Sequence, residues 1–201
     1  MFDNLWIEKY RPKKLEDFCI SQTSNLVAFL KKCKESNEIP NMLLSGNPGI
    51  GKTTIAKIIV NELLDCDYLY INASDENGID TIRSKVTSYA RTKSLYDIKV
   101  IILDECDGLT QDGQRALRNV MEEYSAITRF ILTANYKHRI IPALQSRCQT
   151  FDINHDKAPI ISRLVHIGEQ EKVSCGLGDV QKIVEDNFPD IRKTINVFQK
   201  N

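Results

Sequence analysis

The chain lacks the residue spacings that build a metal ribbon or a disulfide framework. Its six cysteines, Cys19, Cys33, Cys66, Cys106, Cys148 and Cys175, include no C-x-x-C pair, so reduced thiols in a cytoplasmic protein are expected. The three histidines, His138, His155 and His166, lie far apart and make no metal-ligand motif. No apolar run approaches the ~20 residues of a membrane span. The chain starts Met1-Phe2-Asp3-Asn4 with no signal peptide, so the glycosylation-like Asn72-Ala73-Ser74 reads as coincidence. No membrane partner is expected, and the location is the cytoplasm: the host's if the protein is viral, or the nucleus if it is eukaryotic. Net charge is missing too. Lys and Arg number 27, as do Asp and Glu, so contact with nucleic acid has to come from a local basic face. There is no internal repeat and no low-complexity segment. A length of 201 residues suits one or two domains with a real core.

What is present centres on Gly46, Asn47, Pro48, Gly49, Ile50, Gly51, Lys52 and Thr53. This run fits the phosphate-loop pattern G-x-x-x-x-G-K-[ST] at every fixed position. The preceding Asn41–Ser45 reads as a short buried strand. From Lys52 to Leu64 the spacing of Ile55, Ile58, Ile59 and Leu63 is helical. Glycines without Cβ atoms let several backbone N–H groups curl around phosphate oxygens. The helix N-terminus adds partial positive charge. Lys52 then reaches the outer phosphates, and the Thr53 hydroxyl can ligate Mg²⁺.

The rest of the chain alternates apolar strands with helices. Strands are predicted at 68–72, 99–105, 129–135 and 150–153, and helices at 26–37, 79–92 and 110–123. Continuous apolar strands separated by helices imply a parallel sheet covered on both faces. Ligand then sits at the carboxyl ends of the strands. After Asn154 only helical segments follow: 159–171, 177–187 and 189–201. These suggest a small helical second domain.

Two carboxylates end the strand Val100-Ile101-Ile102-Leu103-Asp104-Glu105. Asp104 can hold Mg²⁺ and Glu105 can polarise an attacking water. Such a pair is ordinary in turns, but with a phosphate loop upstream it marks a nucleotide site. Asn135 ends the next strand, where its amide can position water or touch a phosphate; an asparagine turn explains it equally well. Arg147 and Arg192 can stabilise phosphoryl charge, although surface ion pairs account for them too. There is no Asn-Lys-x-Asp motif to read guanine, so ATP is favoured over GTP.

In their order along the chain, Glu8-Lys9-Tyr10-Arg11-Pro12, Gly46–Thr53, Asp104-Glu105-Cys106-Asp107, Thr133-Ala134-Asn135, Ser146-Arg147-Cys148 and Pro189-Asp190-Ile191-Arg192-Lys193 resemble the AAA+ clamp-loader ATPases. The pattern is similar to the small subunits of replication factor C. Residues 187–195 look like a segment of the ATPase subunit of T4-type phage clamp loaders. The resemblance implies an α/β AAA+ core at 1–153, with strand order 5-1-4-3-2, and a helical lid at 154–201. Family members continue into a collar domain, and by this resemblance the 201 residues are expected to stop short of one, as a fragment or as a subunit lacking it. Without a collar the chain is expected to bind ATP weakly and to stay mostly monomeric.

By the same resemblance Tyr10, Arg11 and Pro12 lie against adenine, while Lys52, Thr53 and Thr54 bind phosphates and Mg²⁺. Asp104 is the metal-site acid and Glu105 the catalytic base. Asn135 and Arg192 are the two sensors. Arg147 is a finger reaching the neighbouring subunit's ATP. Other loader subunits in a pentameric ring, a sliding clamp and primer–template DNA are the implied partners. Arg83, Lys85, Arg115 and Arg118 are candidates for phosphate contacts, with Gln114 and Arg118 as a possible link to the catalytic strand. The implied function is ATP-driven clamp loading in DNA replication. The alternatives are a non-hydrolysing structural subunit, or a related AAA+ DNA remodeller. Cys106 has no evident role beyond packing.

Overall fold

The computed structural model describes residues 5–20, 25–92, 96, 98–173 and 175–200. Five strands form one sheet: β1 (Met42–Ser45), β2 (Tyr68–Asn72), β3 (Lys99–Asp104), β4 (Thr128–Ala134) and β5 (Gln149–Asp152). Every pairing is parallel, and the order is β2-β3-β4-β1-β5. This is the expected class and strand order. The helices are α1 (Trp6–Lys9), α2 (Asn25–Ser36), α3 (Lys52–Ile58), α4 (Ile79–Thr81), α5 (Thr87–Arg91), α6 (Gln111–Glu123), α7 (Pro142–Gln145), α8 (Lys157–Glu171), α9 (Leu177–Asn187) and α10 (Ile191–Lys200).

The continuous apolar strands are apolar because both faces are covered. Met42 and Leu44 of β1, with Val100 and Ile102 of β3, pack into a layer with Leu30 of α2 and Ile55 and Ile58 of α3. Their neighbours Leu43, Ile101 and Leu103 point the other way, against Ile82, Val86, Leu117 and Met121. The period of two along each strand therefore feeds two separate cores. Full burial of each such side chain is worth roughly 1.5–3 kcal/mol. Cys106 lies wholly within the second layer.

Helix boundaries differ from the sequence reading where local chemistry intervenes. Two expected helices widen into π turns, at Ile59–Leu63 and Ile82–Val86. The last helix begins at Ile191 rather than Pro189, because the Asp190 side chain accepts from the backbone N–H of Lys193 at 2.9 Å and starts the helix there. Helix α8 begins earlier than expected, at Lys157, which leaves Pro159 inside the first turn where proline is tolerated.

A third apolar cluster lies in α8–α10, built on Ile160, Leu164, Ile167, Val184 and Phe198. The N-terminal segment joins this cluster. Trp6 stacks edge-on against Phe198 with centroids 5.7 Å apart, and Ile7, Tyr10 and Cys19 pack alongside. Glu171 accepts from Lys9 at 2.6 Å and from Tyr10 at 2.5 Å. Residues near the N-terminus thus clasp the helices that end the chain. Among the described residues, no helix is long and apolar enough to cross a membrane.

Candidate functional site

The phosphate loop leaves β1 and enters α3 through a backbone open only to glycine. Gly49 has φ +78° and Gly51 has φ +89°. A Cβ on Gly51 would meet the Phe18 ring at 2.8 Å, and one on Gly49 would run into the Asp190 carboxylate. The loop is therefore wedged between the N-terminal segment and the start of α10. A backbone bond from Arg192 N–H to the Gly49 carbonyl at 3.3 Å closes the same contact.

Lys52 is buried at 7% exposure. Its ammonium donates to the Gly46 carbonyl at 2.9 Å, the Asn47 carbonyl at 2.8 Å and the Asn135 side-chain oxygen at 2.7 Å. Burial pulls its pKa below the usual lysine value, while Asp104, Asp107 and Glu105 act in the opposite sense. The Asn135 amide is thus tied to the loop lysine across the sheet. Its own backbone N–H donates to Asp107 at 3.1 Å.

Asp104 ends β3, also at 7% exposure. The Thr53 hydroxyl sits 2.8 Å from both of its carboxylate oxygens. Thr133, on β4, donates to Asp104 Oδ1 at 2.6 Å and accepts from the Glu105 backbone N–H at 2.9 Å. Tyr70, on β2, donates to Asp104 Oδ2 at 2.8 Å. Glu105 leaves the strand in a left-handed conformation, φ +54°, rather than continuing it as expected. Such strain in a non-glycine residue concentrates at functional sites. The turn aims Glu105 into the same cleft as Lys52, Thr53, Asp104, Asn135 and Arg192.

This polar cleft joins a more apolar one lined by Ile7, Tyr10, Pro12, Ile50, Ile191 and Ile195. Arg11, Gly49, Gly51, Thr54 and Arg192 line both. The shape suits a flat apolar ring at one end and phosphates at the other. A threonine hydroxyl beside an aspartate is an oxygen set of the kind Mg²⁺ takes alongside phosphate oxygens. Among the described residues no cluster of three or more His, Cys, Asp or Glu makes a separate metal site.

The structure brings together Tyr10, Arg11, Pro12, the loop from Gly46 to Thr54, Asp104, Glu105, Asn135 and Arg192. It does not bring Arg147 to them. Arg147 follows α7, donates to the Ala143 carbonyl at 2.8 Å and pairs with Glu122 on α6. The four basic candidates are also separate. Arg83 and Lys85 lie on the helical stretch from 79 to 91, which packs on α6, the helix carrying Arg115 and Arg118. Lys85 pairs with Glu76 at 2.6 Å, Arg115 pairs with Asp112 at 2.9 Å, and Arg118 bonds Asn119 at 2.8 Å. Gln114 is buried, donating to the Leu109 and Arg139 carbonyls and accepting from Ile141 N–H.

Sequence reasoning missed Tyr70, Thr133 and Asp107. In the sequence Tyr70 looks like an ordinary strand former, and Thr133 was legible only as part of the Thr133-Ala134-Asn135 motif, with no role of its own. Asp107, two residues past the acid pair, was legible only as part of a motif, yet its carboxylate takes the N–H groups of both Asn135 and Tyr136 at 3.1 Å.

The family model "ATPase family associated with various cellular activities (AAA)" matches residues 42–154. The replication factor C small subunit of Staphylothermus marinus is 45% identical over 97% of the chain and 61% of the relative. That of Methanococcus vannielii is 42% identical over 96% of the chain and 63% of the relative. The chain thus spans about three fifths of the length of these curated relatives. In fold it is similar to the RuvB Holliday junction branch migration motor of Thermotoga maritima, with TM-score 0.80 and 20% identity over 94% of this chain and 64% of that one. With the phosphate loop, the strand-end acids and a matching family model on one parallel sheet, the chain belongs to the AAA family of ATPases.

Proposed function

We propose that this chain is the ATP-hydrolysing part of a clamp-loader subunit, with a nucleotide-binding core at 1–153 and a lid at 154–201. The observation that carries this reading is the hydrogen-bonded cluster of Lys52, Asn135, Thr53, Asp104 and Thr133 under the phosphate loop. The similarity to replication factor C small subunits supports the choice of machine. The likeness to RuvB is one of fold, so a branch-migration role is the weaker reading.

The proposed chemistry follows from the residues. The base lies against Tyr10, Arg11 and Pro12. Lys52 exchanges its two carbonyl partners for phosphate oxygens and keeps Asn135. Thr53 and Asp104 hold Mg²⁺, which neutralises phosphate charge when bound. Glu105 takes a proton from the attacking water. Arg192 reports phosphate occupancy to the lid through α10. Arg147 serves a neighbouring protomer's nucleotide, and to do so it must leave Glu122. Other loader subunits in a pentameric ring, a sliding clamp and primer–template DNA are the proposed partners. Arg83, Lys85, Arg115 and Arg118 are the proposed phosphate contacts. A cytoplasmic or nuclear site of action follows from that role.

The test is hydrolysis in a ring reconstituted with clamp and primed DNA. Glu105→Gln and Arg147→Ala should each lower turnover at least a hundredfold. Arg147→Ala should leave the affinity of the isolated chain for nucleotide within twofold, since Arg147 lines neither cleft. Unchanged turnover in both variants would sink the catalytic assignment. ATP-independent behaviour toward every sliding clamp tried would sink the clamp-loader reading.

A further inference from the structure

Three hydroxyls converge on the Asp104 carboxylate, and one of them comes from an unexpected place. Thr53 belongs to the phosphate-loop helix, and Thr133 to the neighbouring strand β4. Tyr70 lies on β2, where its backbone pairs with Ile102, two residues before the row in which Asn72 pairs with Asp104. Two residues along a strand is ~6.6 Å, beyond the reach of a serine or threonine hydroxyl. A phenol spans it, and Tyr70 Oη arrives 2.8 Å from Asp104 Oδ2.

The ring is held where it needs to be. Lys57, on α3, places its ammonium over the Tyr70 ring, 4.8 Å from the centroid. Tyr70 and Lys57 both line the phosphate end of the cleft. The phenol supplies the O–H and the carboxylate only accepts, so the direction of this bond is fixed.

We propose that Tyr70 is a positioning residue for the divalent cation, fixing the orientation of the Asp104 carboxylate by donating to Oδ2. This rests on the reading that Thr53 and Asp104 hold Mg²⁺. A carboxylate oxygen has two lone pairs, so accepting from Tyr70 leaves Oδ2 room for a second partner. Were Thr53 to give its oxygen to the cation, Tyr70 on Oδ2 and Thr133 on Oδ1 would still hold the acid in place. Outer partners of this kind typically contribute 10–100-fold to metal affinity.

Tyr70→Phe removes one oxygen and keeps the ring under Lys57. Mg²⁺ is titrated into the chain in the presence of a fluorescent ATP analogue, and the nucleotide Kd is measured separately in EDTA. The expected result is a roughly tenfold higher Mg²⁺ midpoint, with the metal-free Kd within error of the parent and the thermal melt lowered by no more than about 5 °C for one lost, partly exposed hydrogen bond. A midpoint within twofold of the parent overturns the proposal. So does an equal weakening of metal-free binding, which would mean that the hydroxyl supports the nucleotide pocket as a whole and not the cation. If the parent chain binds nucleotide with no dependence on Mg²⁺, the reading that Thr53 and Asp104 hold the cation falls and this proposal falls with it. A normal parent and an unaffected Phe variant reject Tyr70 alone.

Discussion

Two threonines at opposite ends of β4 make a matched experiment. Thr128 and Thr133 are both fully buried on the same strand. The Thr133 hydroxyl donates to Asp104 at 2.6 Å and accepts from Glu105 N–H at 2.9 Å. Among the described residues the Thr128 hydroxyl has no hydrogen-bond partner. Valine keeps the branched shape of either side chain and replaces the hydroxyl with a methyl group. At position 133 the loss is one bond to an ionised acid, ~1.5–3 kcal/mol, plus an N–H left without an acceptor, ~1–3 kcal/mol. Asp104 retains Thr53 and Tyr70, so the lower halves of these ranges apply, for a total of about 2–4 kcal/mol. For a domain of this size that lowers Tm by about 5–15 °C. At position 128 the change relieves a buried unpaired polar group, so Thr128→Val should be neutral or stabilising by about 1 kcal/mol. Urea and thermal unfolding of the nucleotide-free chain measure both. Equal shifts of the same sign would refute the hydrogen-bond account of β4 and leave only a shape effect.

Gly51→Ala should cost ~1–2 kcal/mol for the left-handed conformation alone, beyond the clash with Phe18 at 2.8 Å. It should therefore weaken both the fold and nucleotide binding, whereas Gly178→Ala, facing open space, should not weaken binding; equal nucleotide affinities for the two variants would contradict this. Burial raises the thiol pKa of Cys19 and Cys66 to about 11 and that of Cys148 to about 12, and pushes that of Cys106 well above the ordinary value. Alkylation of these four in the folded chain at pH 8 should be far slower than in urea, as peptide mapping would show. Their folded pKa values lie above the unfolded ones. The unfolded chain therefore loses these protons first, and stability should decline as pH rises from about 9; a melt unchanged between pH 8 and pH 10.5 would count against it.

The parts of this molecule that were legible in sequence are those in which one residue type has one physical use. Gly49 and Gly51 stand where φ is strongly positive, and a lysine and a hydroxyl residue follow them into a helix. Asp104 and Glu105 stand at the end of a strand too apolar to be anything but central. The period of two in β1 and β3, and the helical spacing of Ile55, Ile58 and Ile59, set which face each element buries. What stayed hidden depends on distance across the sheet rather than along the chain. Tyr70 looks like any β-forming aromatic until β2 is laid beside β3 in a register that carries its hydroxyl to Asp104. Thr133 is legible only as part of a short motif and otherwise reads as one more β-branched residue, though its hydroxyl links the Asp104 carboxylate to the backbone of the candidate base Glu105. Residues 6–10 show no period, because they clasp α8–α10 through isolated contacts such as Trp6 on Phe198 and Lys9 on Glu171, while Leu15 and Phe18 further on pack into the first core layer. Arg147 was legible as a charge near a strand, but its pairing with Glu122 was not. That pairing bears on the proposed finger role: to serve a neighbour's nucleotide, Arg147 would have to exchange the Glu122 carboxylate for phosphate oxygens. Because both side chains of the pair are partly exposed, the exchange would cost only about 0–1 kcal/mol.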